Sequence, residues 1–160
     1  MTRIMLSSAL VLALSTSSAT FAQKPACLHQ EGSEAQAERA RREEALQATR
    51  LINTVTAQNQ RFGSKRYLAW SEIADSGALA TLRSDGGPMG QLVRKIRWGT
   101  PEPLPGWNMH FVTSGDAYAF RLRDVRDPCG FAYLSDESGV IWEGQPIGQR
   151  AGIVPVAPTQ

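Results

Sequence analysis

The stretch that decides the fold is residues 106–144, GWNMHFVTSGDAYAFRLRDVRDPCGFAYLSDESGVIWEG. Its period is two. Trp107, Met109 and Phe111 alternate with Asn108 and His110, and Gly115-Asp116 marks a turn. Tyr118, Phe120 and Leu122 then alternate with Ala119, Arg121 and Arg123. Phe131 with Tyr133 makes a third run, and Val140 with Trp142 a fourth. Short alternating runs between turn residues predict an antiparallel meander with one buried face.

A face of that kind needs a cover, and the cover lies upstream. Residues 33–62, SEAQAERARREEALQATRLINTVTAQNQRF, contain neither Gly nor Pro and are rich in strong helix formers. Ala45, Ala48, Ile52, Val55, Asn59 and Phe62 advance by threes and fours, which puts them on one stripe, widened by Leu51. Ser33 suits the cap and Glu34 the first turn. Glu38, Arg39, Arg41, Arg42, Glu43 and Glu44 surround the first half with charge. That half is expected to be solvated, the second half to pack on the sheet, and Gly63 to end the helix. The predicted class is α+β, a long N-terminal helix on a small antiparallel β-meander.

Between helix and meander the pattern is weaker. Ser71 and Glu72 suggest a short helix that Gly77 breaks. RSDGGPMG, residues 83–90, reads as a loop, and QLVRKIRWG as either a strand or a helical turn. TPEPLPG, residues 100–106, is a proline-set extended connection.

The first residues bear on the compartment. Arg3 precedes an apolar run at residues 4–14, and Thr20-Phe21-Ala22 fits a cleavage site. The run is too short for a membrane span of roughly eighteen or more residues. The expected organisation is a signal peptide at 1–22, a linker at 23–33, a single domain at 34–148 and a flexible tail at 149–160. Export to the periplasm or the medium follows, with no membrane span after processing. The net charge of +2 gives no electrostatic case for nucleic acid. Cys27 and Cys129 are the two cysteines, and an oxidising compartment reads such a pair first as a disulfide. Free or intermolecular thiols are the other reading. A zinc site would have His29 as its sole nearby extra ligand.

Catalytic chemistry finds little footing. The acidic turn at Asp136-Glu137-Ser138-Gly139 lacks the spaced oxygen ligands of a calcium loop and reads as a chain reversal. His110 falls on the polar side of its strand, away from any nucleophile motif. Arg121, Arg123 and Arg126 form a candidate interaction surface, to which Arg94, Lys95 and Arg97 could add a basic strip. The tryptophans Trp70, Trp98, Trp107 and Trp142 read as core or core-edge anchors.

The order of parts, with the closing segment YAFRLRDVRDPCGFAYLSDESGVIWEG, resembles the globular part of type IV pilins and type II secretion pseudopilins. The resemblance covers roughly residues 34–148. Pilins carry a short leader ending in glycine and then a long apolar helix, and this chain has neither. The resemblance therefore implies the fold of a pilin head without filament assembly. It implies no catalytic residue, metal or cofactor, and an exported or envelope protein as partner. The expected function is that of a non-enzymatic exported interaction protein. The competing expectation is a small extracytoplasmic ligand-binding domain, since SDESGVIWEG also resembles hairpins of PAS-like sensors.

Overall fold

The computed structural model describes residues 27–29, 32–147 and 150–155. The proposed signal peptide lies outside them. Helix α1 spans Gln36–Gln58 and continues as a π-helical turn, Asn59–Ser64. Three short helices follow: α2 at Trp70–Ile73, α3 at Gly77–Ser84 and α4 at Pro88–Lys95. The chain then forms β1 (Trp107–Thr113), β2 (Tyr118–Asp124), β3 (Ala132–Asp136), β4 (Ile141–Ile147) and β5 (Arg150–Pro155). These make one antiparallel sheet in sequence order, each strand beside the next. The α+β class predicted from the two periodicities is the one observed.

The stripe on α1 packs as its spacing requires. Ala45, Ala48, Leu51, Ile52 and Val55 are buried against a sheet face that includes Trp107, Phe120, Leu122 and Tyr133. Burial of aliphatic side chains of this size stabilises a fold by about 1.5–3 kcal/mol each. Polar groups inside the seam are paired. Tyr118 donates to Asn53 Oδ1 (3.0 Å), Asn53 donates to Ser135 Oγ (2.7 Å), and Ser135 donates to the Val140 carbonyl (2.7 Å). This chain of bonds ties α1 to β2, β3 and the β3–β4 turn, and it fixes register as well as depth.

Several expectations are corrected. The spacing places Phe62 on the buried stripe, but the residue is 75 % exposed. The π-helical turn adds a residue per turn, so Asn59 stays inside while Phe62 rotates out. Lys65, with φ of 61°, ends this segment, two residues beyond Gly63. Gly77 does not break a helix; it begins α3, with Ser76 accepting from the Leu79 amide (3.4 Å). Five of the eight residues read as a loop are helical: Arg83 and Ser84 end α3, and Pro88 occupies the first position of α4, where its missing N–H costs nothing. Gly90 in α4 sits so close to the Asp85 carbonyl that a Cβ would lie 1.9 Å from it. The tail begins later than residue 149, since Arg150–Pro155 pairs with β4 as an edge strand.

The opposite edge is partly covered. β1 receives Leu104 in an isolated bridge, the Met109 amide donates to the Pro101 carbonyl (2.7 Å), and the Tyr67 amide donates to the Gly115 carbonyl (2.7 Å). The proline-set segment thus blunts an edge open to pairing with another chain.

Candidate interaction surface

With α1 on one face, the alternation of each strand sends its other side chains to the opposite face, where His110, Ala119, Arg121 and Arg123 are exposed. The register assembles its rows. His110, Arg121, Leu134 and Trp142 lie side by side across β1 to β4. Val112, Ala119 and Asp136 form the row on one side of them, and Asn108, Arg123, Ala132 and Gly144 the row on the other. Val112, Ala119, Leu134 and Trp142 give this face an apolar floor. Together with His110, Arg121 and Asp136 they line an open groove of about 530 Å³.

Trp142 arrives here by a change of phase. Pairing it with Val140 predicted a common face towards the core. In the structure β4 begins at Ile141, which is buried opposite Ser135, so Trp142 falls opposite Leu134 on the outer side. Val140 stays in the turn, 41 % exposed. Of the other tryptophans, Trp98 and Trp107 are buried as expected, and Trp70 packs against the core at its edge.

Arg121 and Arg123 are exposed on this face and have no carboxylate partner among the described residues. The third member of the predicted set does not join them, because the Arg126 guanidinium is ion-paired with Glu38 of α1. Lys95 and Arg97 likewise pair locally, with Glu44 and Glu102, and Arg94 donates to the Arg83 and Asp85 carbonyls. The basic strip therefore reduces to two arginines on β2. His110 is exposed beside Arg121. The acidic turn is a turn: Asp136 Oδ1 accepts from the Ser138 amide (2.9 Å) and hydroxyl (2.5 Å), and Gly139 has φ of 74°.

Behind the sheet, a buried polar clamp holds the N-terminal segment. Cys27 and Cys129 form a disulfide with Cα atoms 5.2 Å apart, as the pair reading predicted. Asp127 fixes both sides of the bridge: Oδ1 accepts from the Leu28 (2.9 Å) and Cys129 (3.2 Å) amides, and Oδ2 from Phe131 (2.9 Å). Next to it, His29 lies between two carboxylates, with Nδ1 2.7 Å from Glu34 and Nε2 2.7 Å from Asp124. Arg41 pairs with the same Asp124 and stacks over Trp107, 5.1 Å from the ring centroid. Arg42 is held by Glu34 (3.0 Å) and Glu143 (3.4 Å). Glu38, Arg41 and Arg42 thus dock one side of the first half of α1, while Gln36, Ala37, Arg39, Ala40 and Glu43 are exposed, so the expectation of a solvated half holds for part of its circumference.

The clamp perturbs one acid and one phenol in directions that follow from their contacts. Burial opposes ionisation of Glu34, but the hydrogen bond from Arg42 and the contact with His29 outweigh it and hold the carboxyl below its usual value. Burial, with help from Glu143, pushes the Tyr133 phenol well above its ordinary range. Chemically the arrangement serves to compensate charge. Each buried carboxylate faces a cation or backbone donors, the condition under which such burial is tolerated. His29, Glu38 and Asp124 place ligand-type atoms within 4.8 Å of one another, but Arg41 bonds both carboxylates and already supplies the positive charge. The pattern that could have revealed this cluster is spread over 95 residues of sequence, so local spacing does not carry it. No family model, curated protein or solved structure matches this chain.

Proposed function

We propose that this chain is an exported, non-enzymatic interaction protein with a pilin-like fold, working through the outer face of its sheet. The observation that carries this reading is the groove on the side opposite α1, with Leu134 and Trp142 in its floor and, at its flank, arginines without a carboxylate partner among the described residues. Contiguous apolar surface rimmed by polar groups is characteristic of recognition sites. Export is supported by the leader-like first 22 residues and by the disulfide, which suits an oxidising compartment. No helix among the described residues is long and apolar enough to cross a membrane. The pilin-like element of the reading rests on a long helix covering an antiparallel meander.

A photo-crosslinking residue placed at Ala119 tests the reading in cells. Discrete adducts from Ala119 but not from exposed Thr54 on α1 are expected. Equal labelling at both positions, or none at Ala119, would refute a role for this face.

A second reading is favoured by the size of the same groove, which falls within the roughly 300–1,000 Å³ usual for small-molecule sites. Under it the chain is an extracytoplasmic ligand-binding domain. A cell-envelope extract of small amphiphiles that raises the melting temperature of the wild type, but not of Leu134→Asp, would favour it over a protein partner.

A further inference from the structure

We infer that the outer groove receives an extended segment of a partner protein bearing one apolar residue and two acidic residues at alternating positions. The inference rests on the interaction reading above and adds the chemistry of the partner. Ala119, Arg121 and Arg123 all project from the exposed side of β2, and Val112 sits directly opposite Ala119. Residues two apart on a strand are separated by roughly 7 Å. An extended peptide has the same repeat, so a segment running along β2 can present its own i, i+2 and i+4 side chains in step. An apolar residue over Ala119 and Val112 then brings two carboxylates over Arg121 and Arg123. The order apolar–x–acid–x–acid is what the face complements.

Charge on the two faces of the sheet makes the choice of sign. Neither guanidinium has an intramolecular carboxylate among the described residues. Asp136, the acid in the groove, is engaged by Ser138 in its own turn. Glu143 lies on the helix side with Arg42. Arg121 and Arg123 thus remain, among the described residues, solvent-exposed planar donors without a carboxylate partner, suited to bidentate contact with carboxylates. Leu134 and Trp142, in the row of Arg121 on β3 and β4, extend the apolar floor to one side of the segment.

The test is a titration of the oxidised, isotope-labelled protein with three probes. The first is a capped seven-residue peptide with a leucine followed at alternate positions by two glutamates, with serines elsewhere. The second has the same composition with the glutamates adjacent. The third is dodecanoate. The alternating peptide should perturb amides of β1 to β4 and bind more tightly than the permuted one. Combined Arg121→Glu and Arg123→Glu should weaken it by about ten-fold or more, whereas Arg61→Glu on the far side of the molecule should not. Near-UV circular dichroism of each variant confirms that its fold is retained. Equal binding of the two peptides, indifference to the charge reversal, preferential binding of dodecanoate, or no peptide binding overturns the inference. Crosslinking from Ala119 in cells, retained alongside any of those results, would leave the interaction reading standing without this partner chemistry.

Discussion

Removing the Cys27–Cys129 bond by paired serine substitutions should cost this protein a large part of its stability. The bond joins residues 102 apart, and the chain-entropy relation for a loop of that length gives about 4.7 kcal/mol. A second contribution acts through the clamp. Without the bridge, Leu28 and His29 are free to leave Asp127 and Asp124, both of which are almost completely buried. Arg41 would still hold Asp124, so this contribution is smaller than that for an orphaned charge. Together these predict a loss of about 5 kcal/mol, against a total of about 5–15 kcal/mol for a domain of ordinary stability. With a urea dependence of about 1–3 kcal/mol per molar, the midpoint should fall by about 2 M. Urea titrations of the oxidised wild type and the double-serine variant, followed by tryptophan fluorescence and far-UV circular dichroism, measure it. A loss below about 1 kcal/mol would refute the reasoning, because neither loop entropy nor the clamp could then depend on the bond.

Other substitutions probe the seam and the charges. Ile52→Ala, at a fully buried position of α1, should cost about 2–5 kcal/mol in the same titration, and exposed Glu43→Ala under about 0.5 kcal/mol. Phe62→Ala should also stay within about 0.5 kcal/mol, because the π-helical turn has carried the ring out of the core. Acidification should destabilise the protein partly through Glu34. Its carboxyl is held below its unfolded value, so the unfolded chain binds the proton more tightly. The stabilisation is complete above the unfolded value and disappears as the pH falls through the lower folded one. Urea midpoints taken from pH 6 to pH 3 should therefore decline less steeply in Glu34→Gln than in the wild type.

The parts of the fold that could be read in the sequence are those set by local period. Ile52 and Val55 on the helix, and Phe120, Leu122 and Tyr133 on the strands, reach the core as their spacing implies. Where the period itself changes, reading fails. One extra residue in a π-helical turn exposes Phe62, and a strand starting at Ile141 turns Trp142 outward. On the candidate face, Arg121 and Arg123 were legible as outward positions of an alternating strand. Leu134 and Trp142 became their neighbours through register, which depends on turns. The clamp was the least legible part. His29 meets Asp124 across 95 residues and Arg41 meets it across 83, and no local pattern encodes such encounters. Three of the charged residues on that helix half, Glu38, Arg41 and Arg42, are the ones that dock it, while Arg39 and Glu43 stay exposed.

The span of the disulfide also sets a schedule for biosynthesis. Cys27 precedes Cys129 by 102 residues, so at about 5–20 residues per second it is synthesised roughly 5–20 s before its partner exists. Throughout that interval the thiol can react only with other molecules. Once Cys129 appears a single intramolecular pairing is available, and shuffling among wrong bridges, a common delay in cysteine-rich proteins, does not arise. The errors open to this chain are bonds between nascent copies. Their frequency should rise with expression level, and an oxidant that acts late would produce fewer of them than one that acts early.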